Sequence, residues 1–215
     1  MDEMKNFNDN IKIRISDKNI GYLDALKFMQ KHVDKILYHN GDELIWFLNH
    51  DHIYTFGTSA KKSEIINITN TPIVQTNRGG KTTYHGPGQR IVYLMINLSK
   101  KKRDIRKFVN IIENSIIFSL KSFGIHSYSD RKNIGIWTKL NNEDKKVAAI
   151  GIKVKRWVAY HGFSINIDND VSNYRKIIPC GIRDKDVTTL KKINNQNYSK
   201  LSEEIIKNLI TNLKI

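Results

Sequence analysis

Cys180 is the side chain in this sequence best suited to covalent chemistry. It stands in the stretch IIPCG and is the only cysteine among 215 residues. Pro179 restricts its own backbone and biases Ile178 towards extended geometry, so we expect the thiol to project from a stiffened loop, with room for a substrate at Gly181. A lone cysteine is more often an inert, small hydrophobic side chain. The surrounding sequence has to decide between a nucleophile and a structural residue.

Lys146 is the second candidate, because it begins the apolar stretch KVAAIGIKV. With period-two alternation it shares the apolar face of a strand with Ala148 and Ile150, while Lys145 points to the other face. Partial burial of a lysine disfavours its ammonium form, which suits a group that exchanges protons. The alternative is that Lys146 merely ends the strand and reaches out to water.

A glycine-rich stretch, RGGKTTYHGPGQ at 78–89, is the third candidate. Its four glycines permit backbone conformations that other residues avoid and let a ligand approach bare backbone. The spacing is neither that of a Walker loop nor that of the dinucleotide fingerprint. A hairpin turn without function and a structural role for His85 remain alternatives. The HDH stretch at 50–52 offers too few ligands for a metal, and we expect none.

The elements that position these residues follow from hydrophobic periodicity. Amphipathic helices are predicted at 22–37, 105–123 and 201–213, the second ending at Gly124. Strands are predicted at 44–48, 53–57, 89–98, 133–138, 146–154 and 157–167, with a hairpin turn at Lys155 and Arg156. We expect loops at 139–144 and 173–182, a possible strand at 187–190, and nothing recognisable in the first twenty residues. Strands outnumber helices without regular alternation, which predicts an α+β fold with a mixed, largely antiparallel central sheet and flanking helices.

The composition limits which partners and which cellular location are expected. The net charge of +15 raises nucleic acid as a partner, but the basic residues are spread along the chain, and only 99–107 is a dense cluster. No nucleic-acid motif accompanies it, and acidic proteins fit a basic surface equally well. The length fits one domain, 1–215. No apolar run is long enough for a membrane span and no signal peptide is visible, so we expect a cytoplasmic protein without a membrane partner.

Four motifs in order, RGGKTTYHGPGQ, KVAAIG, HGFSIN and IIPCGI, closely resemble those of the lipoyl(octanoyl) transferases. The resemblance runs from about residue 50 to 190. It implies the α+β fold of the biotin and lipoate protein ligases. It also implies transfer of an octanoyl group from octanoyl-acyl-carrier protein to a lysine of a lipoyl domain. The implied acceptors are the lipoyl domains of 2-oxoacid dehydrogenase complexes and the glycine cleavage H protein, with no nucleic acid involved.

The resemblance assigns roles to individual residues. Cys180 matches the nucleophile that carries the octanoyl group as a thioester, and Lys146 matches the lysine that favours its thiolate. The substrate site is implied to include Arg78, Gly79, Gly80, Lys81, Thr82, Thr83, Tyr84, His85, Ala149, Ile150, Gly151, Gly162, Phe163 and Ser164. Phe163 and Ser164 depart from the aliphatic residue and alanine expected there, which affects the expected depth and polarity of the site.

The chemistry implied by the resemblance is consistent with these residue types. Thioester exchange is nearly isoenergetic and the final amide is more stable, so we expect neither a cofactor nor ATP or a metal. Burial of about six methylenes, at about 0.8 kcal/mol each, favours an octanoyl chain over short ones. The small residues Ala148, Ala149 and Gly151 are expected to leave the space for it. Two alternatives remain: an ATP-dependent lipoate or biotin protein ligase of the same fold, and a basic binding protein without enzymatic activity.

Overall fold

The computed structural model describes residues 3–8, 11–67, 70–178 and 186–213. Within these ranges the chain forms two sheets and four α-helices. The strands are β1 (Glu3–Asn8), β2 (Ile11–Asn19), β3 (Glu43–Asn49), β4 (Ile53–Phe56), β5 (Ile73–Gln75), β6 (Thr83–His85), β7 (Gln89–Asn97), β8 (Tyr128–Ser129), β9 (Ile136–Leu140), β10 (Glu143–Lys155) and β11 (Val158–Asn166). The helices are α1 (Tyr22–Tyr38), α2 (Ile105–Lys121), α3 (Leu190–Ile193) and α4 (Leu201–Leu213).

The larger sheet has eight strands in the order β1-β2-β3-β7-β11-β10-β9-β8. Only the β2–β3 pair in it is parallel among the described strands, so the expected mixed and largely antiparallel sheet is confirmed. The smaller sheet, β5-β4-β6, carries the glycine-rich stretch. Strands β6 and β7 therefore do not form a hairpin with each other, although a short turn joins them, because they belong to different sheets.

The helices cover the two faces of the large sheet. On one face α2 and α4 pack against β7, β9, β10 and β11 through a large core that includes Phe108, Ile116 and Leu209. On the other face α1 packs through Ala25, Met29 and Val33 against Trp46 and its neighbours. The helix predictions follow this pattern closely, since each amphipathic face is buried against the sheet. None of the described helices is long and apolar enough to cross a bilayer.

Several connections differ from expectation. The predicted 139–144 loop is a tight hairpin in which Asn141 and Asn142 adopt φ of +54° and +64° between β9 and β10. Asparagine tolerates this left-handed geometry, which suits a two-residue turn between twisted strands. The β10–β11 turn falls on Arg156 and Trp157, one residue later than predicted. The first residues form β1 and β2 rather than unpatterned chain.

The 173–182 region also has more structure than the predicted loop. Residues Val171–Lys176 form a 3-10 helix, and Ile177 makes an isolated antiparallel bridge to Ile65. The possible strand at 187–190 reduces to one parallel bridge between Val187 and Lys146, after which α3 begins.

Candidate active site

A slot lies on the α1 face of the large sheet, at the point where α1 begins. Its cavity volume is about 60 Å3, and part of the slot is open to solvent. Twelve of the fourteen predicted substrate-site residues line it: Arg78, Gly79, Gly80, Lys81, Thr83, His85, Ala149, Ile150, Gly151, Gly162, Phe163 and Ser164. The sequence motifs at 78–85, 149–151 and 162–164 thus converge on one slot.

The floor of the slot is built from two rows of directly opposed residues across β7, β11 and β10. One row is Ile91, Ser164 and Ala149, and the other is Tyr93, Gly162 and Gly151. Directly opposed residues in antiparallel strands point to the same face. The members from β11 and β10 are small in both rows: Ser164, Ala149, Gly162 and Gly151. They leave space that larger side chains would fill.

The glycine-rich loop forms the roof. The backbone at Gly79 lies so close to β10 that a Cβ there would be 2.7 Å from the carbonyl oxygen of Ile152. Arg78 ties the loop to β4, because its Nε donates to the hydroxyl of Thr55 at 3.1 Å and its Nη2 donates to the Thr55 carbonyl at 2.7 Å. The loop therefore lies at a defined height above the floor.

Thr82 and Tyr84 are the two of the fourteen that do not line this slot, and their part in the substrate site stays a prediction. Alternation along the extended chain at 82–85 explains this, because Thr83 and His85 face the slot and the residues between them face away. The amide and hydroxyl of Thr82 both donate to the buried carboxylate of Glu64, at 3.0 and 2.6 Å. The ring of Tyr84 packs between Tyr54 and Tyr174.

Four further residues line the slot that the sequence analysis did not identify: Tyr22, Ile91, Tyr93 and His161. Alternation along β7 and its pairing with β11 would have identified Ile91 and Tyr93, opposite Ser164 and Gly162. Tyr22 carried no such signal, since it is brought to the slot by the position of α1. Ala148 was expected to leave space, but it lies in the core on the α2/α4 face instead. Phe163 borders the slot, yet it also packs in that core.

Three imidazoles in or behind the slot wall are buried and uncharged at neutral pH. Burial is the main cause that lowers the pKa of His50 to about 4 and those of His85 and His161 to about 3. His50 Nδ1 donates to the carbonyl of Ile20, so its Nε2 accepts from the hydroxyl of Tyr93 at 2.7 Å. His52 instead contacts the hydroxyl of Tyr84, so the two histidines of the HDH stretch have different partners.

Lys146 lies on the same sheet face as the slot, and a β-bulge is the reason. In the pairing of β10 with β9, Lys146 opposes Trp137 while Ala148 opposes Ile136, so Val147 is an extra residue. Val147, Ala148 and Ile136 all pack in the α2/α4 core. Lys146 and Trp137 consequently point to the opposite face. The predicted placement of Lys146 beside Ala148 and Ile150 is therefore wrong.

The bulge also shortens the separation between Lys146 and the slot. Ala149 lies about two residue rises away on the same face, roughly 7 Å. Lys146 is only 5% exposed, so it does not reach out to water. Its Nζ donates to the carbonyl of Ile134 at 3.0 Å and lies 4.8 Å from the centroid of the Trp137 ring. Lys146 does not line the slot itself, but it is a buried side chain on the sheet face that carries the slot.

Cys180, Pro179 and Gly181 lie outside the described residues, so the pairing of Cys180 with Lys146 stays a prediction. The described chain on either side of them is fixed to the site. Ile178 donates its amide to the carbonyl of Glu64 at 2.7 Å. The amide of Lys146 donates to the carbonyl of Asp186, and the amide of Thr188 donates to the carbonyl of Lys146, both at 2.9 Å. The first residues after the gap therefore run alongside Lys146.

Comparison with known proteins identifies the family. A sequence model of the lipoyl protein ligase A/B catalytic domain matches residues 21–214. The chain belongs to this family. Within it, the chain is 44% identical over 182 residues to an octanoyltransferase of Anaplasma marginale (strain Florida), covering 84% of this chain and 85% of the relative. It is also 44% identical over 186 residues to an octanoyltransferase of Ehrlichia chaffeensis, covering 86% and 87%.

Solved structures of the family share the fold. A bipartite lipoate protein ligase from Thermoplasma acidophilum, studied with its E2 lipoyl domain, matches with a TM-score of 0.69 at 12% identity, over 96% of this chain and 84% of that chain. A lipoate-protein ligase A bound with ATP matches with a TM-score of 0.66 at 13% identity, over 94% and 85%. At this level of identity the likeness supports the ligase-like α+β fold alone.

Proposed function

We propose that this enzyme takes an octanoyl group from the thioester of octanoyl-acyl-carrier protein onto Cys180 and passes it to the ε-amine of a lysine on a lipoyl domain. Its relatives are octanoyltransferases at 41–44% identity over most of the chain, and octanoyl transfer for protein lipoylation is the activity they indicate. The ATP-dependent ligase alternative is not favoured by these relatives.

The observation that carries the proposed mechanism is the position of Lys146. It is a buried cation on the slot face, and its backbone is bonded to Asp186 and Thr188, close in sequence to Cys180. A nearby ammonium favours the thiolate form of a cysteine, which is the nucleophilic form. The slot then offers the adjacent apolar space for the acyl chain. Burial of about six methylenes contributes on the order of 5 kcal/mol to binding.

Protons balance over the two steps. In the resting pair the proton is on Lys146, as an ammonium beside the Cys180 thiolate. The thiolate attacks the carrier thioester, the carrier sulfur leaves, and the Lys146 ammonium returns a proton to it. The neutral Lys146 then accepts a proton from the attacking lipoyl-domain lysine as the amide bond forms and the Cys180 thiolate leaves. The thiolate and ammonium are thereby restored, and no nucleotide is consumed.

The partners follow from this chemistry and from charge. The lipoyl domain as acceptor is supported by the octanoyltransferase relatives. The carrier protein is our proposal for the donor, and the net charge of +15 suits acidic partners of either kind. A free thiol as nucleophile suits a reducing compartment, and we place the reaction in the cytoplasm.

The test is mass spectrometry of the protein after mixing with octanoyl-carrier protein, without ATP. We expect an octanoyl-sized mass increase on Cys180 that hydroxylamine removes and that a lipoyl domain discharges. Cys180→Ala should abolish both the adduct and the transfer. Transfer that requires ATP and survives in Cys180→Ala would instead identify a ligase.

A further inference from the structure

Gln89 and Asn166 form a buried amide pair beside the slot. They oppose each other across β7 and β11, and Nε2 of Gln89 donates to Oδ1 of Asn166 at 2.8 Å. They are 1% and 4% exposed, and neither lines the slot. Each also makes a hydrogen bond to a chain segment that flanks Cys180, Gln89 to Tyr174 and Asn166 to Thr188. The pair therefore occupies a central position between the slot and those segments.

Gln89 reaches the segment that precedes Cys180. Its Nε2 also donates to the hydroxyl of Tyr174 at 2.9 Å, and that hydroxyl donates to the carbonyl of Tyr84 at 3.2 Å. Tyr174 belongs to the 3-10 helix that leads to Ile178. On its other side Gln89 contacts the slot, because Nδ1 of His85 donates to its Oε1 at 2.7 Å.

Asn166 reaches the segment that follows Cys180. Its Nδ2 donates to the carbonyl of Thr188 at 3.2 Å. The amide of Thr188 in turn donates to the carbonyl of Lys146. Two hydrogen bonds through Thr188 thus connect the amide pair to the buried Lys146.

We infer that Gln89 and Asn166 are positioning residues for the transfer reaction. They hold the segment before Cys180, through Tyr174, and the segment after it, through Thr188, against the same two strands. They also fix the register of Lys146 with Thr188. This inference rests on the proposed role of Cys180 and Lys146. The alternative is a purely structural role, in which these hydrogen bonds only satisfy the buried polar groups of the two side chains, as in most buried amides.

Two variants test the two hydrogen-bonded connections, one through Thr188 and one through Tyr174. Asn166→Ala removes the bond to Thr188, and Tyr174→Phe removes only the hydroxyl that Gln89 holds. The matched control is Asn208→Ala, because Asn208 joins α4 to α2 on the opposite side of the sheet through a 3.0 Å bond to Ser119. Each variant is checked for folding by circular dichroism and thermal unfolding.

The decisive readout is alkylation of Cys180 by iodoacetamide as a function of pH, which is specific because the chain has no other cysteine. We expect the midpoint of the profile to rise by about one pH unit in Asn166→Ala and kcat for octanoyl transfer to fall about tenfold, with KM for the carrier unchanged. Tyr174→Phe should move both quantities in the same direction.

The inference is overturned if both variants have the same pH profile of Cys180 alkylation and the same kcat for octanoyl transfer as Asn208→Ala. If Asn166→Ala does not fold, Tyr174→Phe decides, since it keeps the ring and its packing. Failure of the proposed function is distinct, because it appears in the unaltered protein as the absence of any octanoyl adduct on Cys180.

Discussion

The ammonium of Lys146 lies 4.8 Å from the centroid of the Trp137 ring while it donates a 3.0 Å hydrogen bond to the carbonyl of Ile134. The ring face and the carbonyl are both electron-rich, so they stabilise a positive charge that has little contact with water. Both contacts come from the neighbouring strand β9 or the residues just before it. Neither of these two contacts is a carboxylate, so neither competes with a thiolate for the positive charge.

Replacing Lys146 tests whether this charge activates Cys180. We expect Lys146→Met to slow both iodoacetamide alkylation of Cys180 and octanoyl transfer by about 100-fold at pH 7, because the thiolate loses its cationic partner. The control is Lys145→Met, which removes the neighbouring charge that pairs with Glu143 and Asp186 at the surface. Equal effects of the two substitutions would show that Cys180 responds to the total positive charge of the region and not to the buried Lys146 ammonium.

Gly135 is expected to be required for the position of Lys146. A Cβ at Gly135 would lie 3.3 Å from Nζ and 3.1 Å from Cε of Lys146, and 2.7 Å from the carbonyl oxygen of Ala148. We predict that Gly135→Ala lowers octanoyl transfer at least tenfold, because the lysine must move. The measurement is kcat together with the thermal midpoint.

Gly124→Ala is the control for this prediction, because Gly124 also has a positive φ, of +70°, but the nearest atom to its Cβ position, Nδ2 of Asn194, is 3.9 Å away. An alanine there also carries backbone strain, although less than at Gly135, whose φ is +137°. If Gly124→Ala lowers transfer as much as Gly135→Ala, the effect is one of stability and the specific role of Gly135 is contradicted.

Acyl-chain length should depend on Ala149. A leucine there adds three carbons to the slot floor, which displaces about three methylenes of the substrate at about 0.8 kcal/mol each. We expect Ala149→Leu to lower kcat/KM for octanoyl-carrier protein roughly 50-fold while butanoyl-carrier protein reacts nearly as before. The comparison of the two substrates on one variant controls for folding. Equal losses for both chains would mean that the acyl group does not lie along this floor.

The parts of this site that could be predicted are those carried by regular patterns. The helices α1, α2 and α4 follow from apolar periodicity, and the motifs at 78–85, 149–151 and 162–164 indicated a shared site before their proximity was known. The orientation of individual side chains was predicted where alternation is unbroken. It failed at Lys146, because a bulge at Val147 shifts the pattern by one residue and leaves no mark in the composition of the strand.

Other failures have equally local causes. The polar sequence at 139–144 predicts a loop, since polar residues are common in loops and turns alike, although the two adjacent asparagines Asn141 and Asn142 permit the left-handed geometry of a tight hairpin. Strand β2 has alternating Ile11, Ile13 and Ile15, but its flanks are charged and the pattern is short. The hydrogen-bonded link from Gln89 to Thr188 joins residues far apart in the chain, which no local pattern reveals.

Acid should destabilise the fold through its buried histidines. The folded-state pKa values of His50, His85 and His161, about 4, 3 and 3, lie below the unfolded value of 6.5. Between these limits the unfolded chain binds more protons than the folded one, so the free energy of unfolding falls as the pH is lowered from 6.5. Each histidine contributes at most about 1.4 kcal/mol per pH unit. Glu43, whose pKa is raised by burial, contributes with the opposite sign above pH 4.5.

The prediction is measured by urea unfolding between pH 6.5 and 5, a window in which carboxylates of ordinary pKa stay ionised. At the acidic end of this window we expect the free energy of unfolding to decrease by more than about 1.4 kcal/mol per pH unit, which is the slope that uptake of one proton gives. His50→Gln should reduce this slope by about one proton, or 1.4 kcal/mol per pH unit, because glutamine does not titrate. Glu43→Gln should steepen the net slope, since it removes the opposing carboxyl. Identical slopes in all three proteins would mean that other groups govern the acid sensitivity.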